Sequence, residues 1–412
     1  MKTSPSIRKH ANSGFSLVEL MVAVVIGLVG TIIMFQVFAV SEGQKRTTVS
    51  GGDSQQNGAI ALFTVERHLR SAGHGYAALT RLGQPAYGWD SAANGADPTR
   101  YFRPVLITPG ASSDSIEINY SNFSGIGVAI PLGNDWNPSS AVVPNRITLN
   151  NTTGFGQGDI LVVCASSFPT TPWNANTCIE AQVTDIIAGE VQVNPAPDSI
   201  SRGGEVFTPN YNPDGGFAGK LSAVAAIDGK AMPGIYVGGT AEDPGAVAFN
   251  IGWSPVSKTF RVQDGRLLET DLGESPQEFA DGIVSLRAQY GLDLDANGSV
   301  DVWVNPRGNT GNPLSSYTPN HLMFDITSSA TIGASWQLVV AVRVGVVTRS
   351  GLLEKQSVES RSTIPLWTNS GAGSATGPEF TVPGGDGSRY RYQVFESIVP
   401  FRNTIWTPHR LI

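Results

Sequence analysis

The chain has 412 residues, of which 41% are hydrophobic and 15% charged, and its formal net charge at pH 7 is −7. This length exceeds what one small sheet needs. The excess of acidic residues argues against general nucleic-acid binding by the whole protein. The 47 glycines and 26 prolines predict many turns and loops.

The N-terminal segment is predicted to cross a membrane. A basic leader containing Lys2, Arg8 and Lys9 precedes an almost unbroken apolar run over residues 15–40. As a helix this run is about 39 Å long, enough to span the hydrocarbon core with some tilt. It is too long for the apolar region of an ordinary secretory signal. The basic flank predicts that the leader stays in the cytoplasm and that the rest of the chain lies outside.

One carboxylate, Glu19, lies inside the apolar run. A charge at the centre of a membrane helix costs roughly 2.5–3.5 kcal/mol, so Glu19 needs a compensating partner. A plain single-span anchor explains the length and flanks of the segment, but it explains neither Glu19 nor Gly14 directly before Phe15. We therefore expect this helix to assemble with other subunits.

The start of the run contains a compact motif, Gly14-Phe15-Ser16-Leu17-Val18-Glu19. It resembles the class III signal of type IV prepilins and type II secretion pseudopilins. The resemblance implies that prepilin peptidase removes residues 1–14 by cutting between Gly14 and Phe15, and that Phe15 becomes N-methylated. It also implies an assembly role for Glu19, whose carboxylate would pair with the terminal ammonium group of a neighbouring helix at low dielectric. The alternative is that Glu19 is satisfied within its own chain near the membrane surface.

Residues 41–75 are predicted to form the outer half of the same helix. The glycine pair at 51–52 weakens a continuous helix, so we expect a bend or local melting there. Beyond it, apolar residues recur at three- and four-residue steps and form one stripe: Leu62, Val65, Leu69 and Ala72. The glycines at 73 and 75 supply a natural stop.

Residues 76–412 are predicted to form a β-rich domain. Strand-like segments occur at 115–120, 159–164, 189–193, 283–290 and 337–348, separated by Gly, Pro, Asn and Ser clusters. We expect an α+β fold in which the long helix packs on a largely antiparallel sheet with large loop insertions, as in pilins. Two β subdomains dividing near residues 194–219, and one sheet with large inserts, are both open.

The last third of the chain extends the resemblance. The segment 281–290, the long strand 338–350 and the terminal Phe401-Arg402-Asn403 are similar to PilW-type minor pilins. The resemblance implies a non-enzymatic subunit that primes or caps a type IV pilus within a minor-pilin tip complex. A type II secretion pseudopilin is one alternative, and a non-polymerising, membrane-anchored periplasmic binding or sensor domain is another.

The resemblance also implies partners and a location. The expected partners are other minor pilins, the major pilin, a large tip adhesin and prepilin peptidase, with no small-molecule substrate and no nucleic acid. The chain would span the inner membrane once with its C-terminal domain in the periplasm, and would then enter the extracellular pilus near its tip. A local basic patch of Arg389, Arg391 and Arg402 is the alternative to solvated arginines at strand ends.

The two cysteines, Cys164 and Cys178, are predicted to form a disulfide. Both lie on the side assigned outward, where an oxidising periplasm favours a disulfide over a metal or redox site. Closing this 15-residue loop contributes about 3 kcal/mol in the chain-entropy model. Two separate buried thiols are the alternative.

Residues 293–301 resemble the first part of a calcium loop. Oxygen-bearing side chains stand at its first, third, fifth and ninth positions: Asp293, Asp295, Asn297 and Asp301. Val304 stands where the bidentate Glu at the twelfth position is expected, so half the usual ligand set is missing. The competing interpretation is a simple hairpin turn. We therefore expect no cofactor, and calcium is the one alternative that the sequence offers.

Catalytic motifs are not found in the sequence. The nucleophile elbow, the Walker A pattern, the zinc-protease helix and the dinucleotide fingerprint are all missing, and the five histidines are scattered. We therefore do not expect an enzyme.

Overall fold

The computed structural model describes residues 16–76, 85–90, 95–101, 104–123, 129–134, 136, 145–164, 178–194, 199–202, 204–207, 212, 246–271, 274–293, 297–306, 339–367 and 377–403. It begins with one long helix, α1 (Leu17–Ser71), and continues in β-strands. Every pairing between described strands is antiparallel, except one parallel pair. The expected α+β class is confirmed.

The strands fall into two groups along the chain. The first group comprises β1 (Pro85–Asp90), β2 (Gly95–Tyr101), β3 (Val105–Thr108), β4 (Ser115–Tyr120), β5 (Ile130–Pro131), β6 (Arg146–Thr148), β7 (Ile160–Cys164), β8 (Cys178–Gln182), β9 (Asp185–Ile187), β10 (Glu190–Gln192), β11 (Ile200–Arg202), β12 (Glu205–Phe207) and β13 (Val247–Asn250). The second comprises β14 (Val256–Gln263), β15 (Arg266–Asp271), β16 (Gln277–Asp281), β17 (Ile283–Leu292), β18 (Val302–Val304), β19 (Val339–Arg349), β20 (Thr363–Pro365), β21 (Glu379–Thr381) and β22 (Tyr392–Pro400), with a short 3₁₀-helix at Gly385–Arg389.

These strands form several sheets. The largest has the order β2-β1-β8-β7-β13-β5, the next β16-β15-β14-β4-β3, and the C-terminal sheet β18-β17-β19-β22. Three smaller sheets have the orders β6-β10-β9, β11-β12 and β20-β21. The five strand-like segments predicted from the sequence correspond to β4, β7, β10, β17 and β19.

Helix α1 is continuous across the glycine pair, so the predicted local melting at 51–52 is wrong, whereas a bend there stays a prediction. At 1.5 Å per residue its 55 residues extend about 83 Å. Each glycine costs about 1 kcal/mol in a helix interior. That cost is offset because the flanking Ser50 and Ser54 are buried against the domain, and tertiary packing supplies most helix stability. The helix ends as predicted, with Gly73 and Gly75 at positive φ of 72° and 78°.

The six-stranded sheet lies between two cores. Along β7, Ile160 and Val162 face the main core around α1, whereas Leu161 and Val163 face a second core built with the three-stranded sheet. Because both faces are covered, the strand is apolar throughout rather than alternating. The C-terminal sheet is likewise covered on both sides, by α1 and by β20 and β21.

Strand pairing joins the parts of the chain on either side of residues 194–219. Strand β13, which follows that stretch, pairs with β5 and β7, which precede it. Strand β14 likewise pairs with β4. Two of the sheets are therefore assembled from strands on both sides of the stretch, and the division into two subdomains stays a prediction.

Candidate assembly interface

The first half of α1 is uncovered. Residues 17–40 are exposed apart from the half-buried Gly30. An 18-residue window of the helix reaches a mean hydropathy of 2.6, and none of that window is buried. Since exposed apolar surface of this extent is unfavourable in water, this half requires lipid or other helices around it.

Glu19 lies in the first turn of this uncovered half. Its side chain is exposed, and no described residue of the chain pairs with its carboxylate. Ser16 caps the helix in an extended conformation without a side-chain hydrogen bond, and the backbone N–H of Leu20 donates to its carbonyl at 3.1 Å. Gly14 and Phe15 lie outside the described residues, so the cleavage, the methylation and the amine pairing stay predictions.

The outer half of α1 is held against the β domain by small side chains. Ser50, Ser54, Gly58 and Ala61 recur at four- and three-residue steps and are buried on one face of the helix. The hydroxyl oxygens of Ser54 and Thr348 are 2.8 Å apart. Gly58 lies so close to Phe395 that an added Cβ would stand 2.2 Å from its Cε2. These close approaches fix the helix on β19 and β22.

Apolar and capping contacts hold the end of α1. Val65, Leu69 and Ala72 are fully buried, and Leu62 packs half-buried beside them, so the predicted stripe is confirmed. Asn403 donates from Nδ2 to the carbonyl of Ala72 at 3.0 Å, which satisfies one of the free carbonyls that every helix end leaves. The C-terminal Phe401-Arg402-Asn403 motif therefore contacts the end of the helix through Asn403.

The opposite face of α1 carries an exposed stripe of large apolar residues: Phe35, Phe38, Val49, Ile60 and Phe63. At 100° per residue these positions fall within about 80° of arc. We call them the outer apolar stripe. Phe63 is 65% exposed, although it lies well beyond the apolar run. The stripe therefore extends the uncovered surface from the membrane half along the helix toward its far end.

Cys164 and Cys178 form the predicted disulfide. They face each other directly in the pairing of β7 with β8, and both are fully buried. The alternative of two separate thiols is thereby excluded.

The acidic segment 293–301 lies between two paired strands. Strands β17 and β18 are antiparallel on either side of it, as the hairpin interpretation predicts. The Asp293 carboxylate is buried and accepts the backbone N–H groups of Asn297 (3.2 Å) and Gly298 (2.7 Å). Asp295 lies outside the described residues, and in the parts of the chain that are described no group of three His, Cys, Asp or Glu residues is placed to hold a metal. The absence of a cofactor stays a prediction, with calcium as its alternative.

Two of the three arginines in the suggested basic patch make contacts within the domain. Arg389 donates from Nε to the carbonyl of Glu354 at 2.8 Å, and Arg391 donates from Nε to its carboxylate at 3.1 Å. Arg402 is exposed.

Two family models match this chain. The family described as type IV pilus-assembly protein W matches residues 256–403, and the prokaryotic N-terminal methylation motif matches residues 9–35. The first match spans β14 to β22 and so includes the sheet on which α1 lies; the second spans the cleavage motif and the start of the uncovered helix. Comparisons with curated proteins and with solved structures gave no significant match.

Sequence reasoning missed part of this interface. Ser50, Ser54 and Gly58 give no hydrophobic signal, although small residues four apart allow close backbone approach. The outer apolar stripe was concealed because its members are spaced by up to eleven residues.

Proposed function

Because this chain carries a PilW domain behind a prokaryotic N-terminal methylation motif, it is a type IV pilus-related, pilin-like protein, and we propose that it is a minor pilin that primes or caps the filament. The observation that carries the proposal is the division of α1. Its outer half is fixed to the PilW-type sheet, whereas its membrane half is uncovered and contains one carboxylate.

Storage in the inner membrane is the first state in the proposal. The uncovered half spans the bilayer and the β domain lies in the periplasm. Cleavage after Gly14 exposes an ammonium group at Phe15, which remains cationic after methylation. In a lone subunit Glu19 has no cation from a neighbouring helix, so its burial in lipid is costly.

Assembly is the second state. Packing the helix beside other pilin helices allows the ammonium group of one subunit to meet Glu19 of the next at low dielectric, where the ion pair is strong. The outer apolar stripe gives the neighbouring helix a continuous surface. The proposed neighbours are other minor pilins and the major pilin, with a large tip adhesin at the end of the filament. The β domain selects among them and performs no catalysis.

Replacing the carboxylate tests this proposal. We expect Glu19→Ala to be cleaved and methylated normally, because the peptidase acts before assembly, yet to reduce piliation strongly. Mass spectrometry of the mature N-terminus and counts of surface pili are the measurements. Glu42→Ala, an exposed carboxylate beyond the apolar run, is the matched control and should assemble normally.

Two outcomes would contradict the proposal. Unchanged piliation and twitching in Glu19→Ala would remove the assembly role of Glu19. An intact Met1 on the membrane-bound chain would instead favour a non-polymerising anchored domain. A type II secretion pseudopilin shares the N-terminal motif, and loss of protein secretion with normal twitching would identify it.

A further inference from the structure

A groove lies where α1 leaves its apolar run. It has a volume of about 780 Å³ and lies between the helix, from Ala39 to Ser50, and the loop that follows β19. That loop, residues 350–358, is named the foot loop below. Arg391, which directly precedes β22, completes the wall.

Hydrogen bonds hold the foot loop against the helix. The backbone N–H of Leu352 donates to Ser50 Oγ at 3.2 Å. The Glu354 carboxylate accepts the Thr47 hydroxyl at 3.1 Å and is paired with Arg391 at 3.1 Å. These contacts hold the loop alongside Thr47 and Ser50, about 10–15 Å along the helix from Val40.

The exposed surface of the foot loop combines apolar and basic groups. Leu352, Leu353 and Val358 are each about two-fifths exposed. The groove is lined by three cations, Arg46, Lys355 and Arg391, against the single carboxylate of Glu354. Within the described residues neither Arg46 nor Lys355 belongs to an ion pair. Apolar side chains beside unpaired cations are the combination that binds an anionic lipid interface.

The depth of the groove matches the headgroup layer. The hydrocarbon core is about 30 Å thick, and the headgroups add roughly 5–7 Å on each side, or about three to five helical residues. The apolar run ends at Val40, so Val40 and Gly43, which line the groove, fall at headgroup level. Leu352, Leu353 and Lys355 of the foot loop line the same groove as Val40 and Gly43, so the loop borders this layer.

We propose that the foot loop binds anionic phospholipid headgroups on the periplasmic face of the inner membrane. Leu352 and Leu353 enter the interface while Lys355 and Arg46 contact lipid phosphates. This inference rests on the membrane storage described under the proposed function. It gives the stored subunit a fixed orientation, since the β domain is seated on the bilayer beside its own helix, and it means that extraction into a filament must release these contacts.

A fluorescent probe at the loop tests this inference. The only two cysteines form the disulfide, so Leu352→Cys in the full chain offers one site for an environment-sensitive dye. The purified chain is reconstituted in vesicles containing phosphatidylglycerol, with lipid-borne quenchers at shallow and deep positions. We expect strong quenching by the shallow quencher at Leu352→Cys. The matched control, Ile187→Cys, is exposed on β9 in the separate three-stranded sheet and should not be quenched.

Charge reversal at Lys355 tests whether the foot loop binds anionic lipid electrostatically or merely lies near the bilayer. Lys355→Glu should lower the docked-to-undocked ratio of the loop at least about fivefold, because one cation at an anionic surface contributes about 1 kcal/mol. Pure phosphatidylcholine vesicles should show the same loss. Arg261→Glu, which reverses an exposed arginine on β14, is the control of equal net charge and should leave the quenching unchanged.

The outcomes distinguish this inference from the function on which it rests. A third probe at Val29, within the apolar run, reports insertion of the helix. If Val29→Cys is quenched by the deep quencher and Leu352→Cys is unquenched, the foot loop does not bind lipid and the inference fails alone. If Val29→Cys is also unquenched, membrane storage itself fails.

Quenching at Leu352→Cys that does not depend on lipid charge would overturn the role of Lys355 and Arg46. Protection of that site only when other pilins are added would identify a protein occupant instead.

Discussion

Gly58 is the point of closest approach between α1 and the C-terminal sheet. Phe395 and Thr348 occupy the space that a side chain at position 58 would need, with an added Cβ standing 2.2 Å and 2.7 Å from their nearest carbon atoms. A glycine in a helix interior normally costs about 1 kcal/mol relative to alanine. Here that cost is offset by contact between the helix backbone and the strands.

We expect Gly58→Ala to destabilise the protein by up to about 2 kcal/mol, since an overpacking cost of about 1–3 kcal/mol is set against a gain of about 1 kcal/mol in helix propensity. Gly52→Ala, on the same helix with nothing within 4 Å of an added Cβ, is the matched control. It should stabilise by about 1 kcal/mol. Thermal unfolding of both variants in detergent measures the difference. Equal shifts of the two melting temperatures would mean that α1 is not held closely at Gly58.

His68 is a buried titratable group at the end of the same helix face. Its Nδ1 is 3.0 Å from the Tyr120 hydroxyl, and its Nε2 is 3.2 Å from the Arg67 guanidinium. Because the guanidinium only donates, Nε2 accepts and Nδ1 carries the proton. Burial lowers the pKa of His68 below its ordinary 6.5, and the nearby Glu269 carboxylate offsets part of that effect.

A lowered pKa in the folded state makes the protein less stable in acid. The unfolded chain takes up the proton first, so the free energy of unfolding falls as the pH drops through about 6.5 and toward the folded pKa. We expect His68→Gln to flatten this loss between about pH 8 and pH 5. Urea unfolding across that range measures it. A pH slope in the variant equal to that of the parent would show that other groups cause the acid loss.

At the scale of elements, α1 shows what the sequence can and cannot predict. The buried stripe at Val65, Leu69 and Ala72 was predictable because an apolar period near 3.6 residues reports a face on one core. The continuity of α1 across Gly51 and Gly52 was not predictable, because it depends on contacts such as that of Ser54 with Thr348, two residues that are 294 positions apart. Local helix propensity carries no information about such a contact.

The candidate site likewise contains residues that the sequence predicts and residues that it does not. Glu19 was predicted because a charge inside an apolar run is conspicuous in one local motif. The foot loop was not, since residues 39–50 and 350–358 meet only after the C-terminal sheet forms. A site built by long-range pairing leaves no sign in the spacing of residues.

The hairpin between β17 and β18 supports a prediction about calcium. The Asp293 carboxylate already accepts two backbone N–H groups, and Val304 replaces the bidentate glutamate of a calcium loop. We therefore expect a chelator to leave the melting temperature unchanged, because these hydrogen bonds and the pairing of β17 with β18 hold the hairpin. A melting temperature that rises on adding calcium, and that Asp301→Asn abolishes, would instead establish the metal site.

At the scale of the whole molecule, the two halves of α1 play separate roles. The six-stranded sheet joins the two cores, and the outer half of α1 closes the main one with Ala61, Val65 and Leu69. The membrane half contributes nothing to either core among the described residues. Folding of the β domain therefore depends on residues 41–75 and is independent of residues 17–40.

This division predicts different results for two truncations. Removing residues 1–40 should leave the melting temperature close to that of the full chain, whereas removing residues 1–75 should expose the core and cause aggregation or dye binding. The reason is that Val65 and Leu69 each contribute roughly 1.5–3 kcal/mol by burial, a large share of a typical stability of 5–15 kcal/mol.

Point substitutions within residues 41–75 provide the matched pair for this test. Leu69→Ala should cost about 2–5 kcal/mol, because it opens a cavity at a fully buried position. Phe63→Ala, on the exposed stripe, should change stability by less than about 0.5 kcal/mol. The same Phe63 variant should still weaken incorporation into pili, since the Phe63 side chain belongs to the surface offered to a neighbouring helix.

Stable folding without residues 41–75 would contradict the structural role of the outer half of α1. Full piliation of Phe63→Ala would remove that position from the assembly surface.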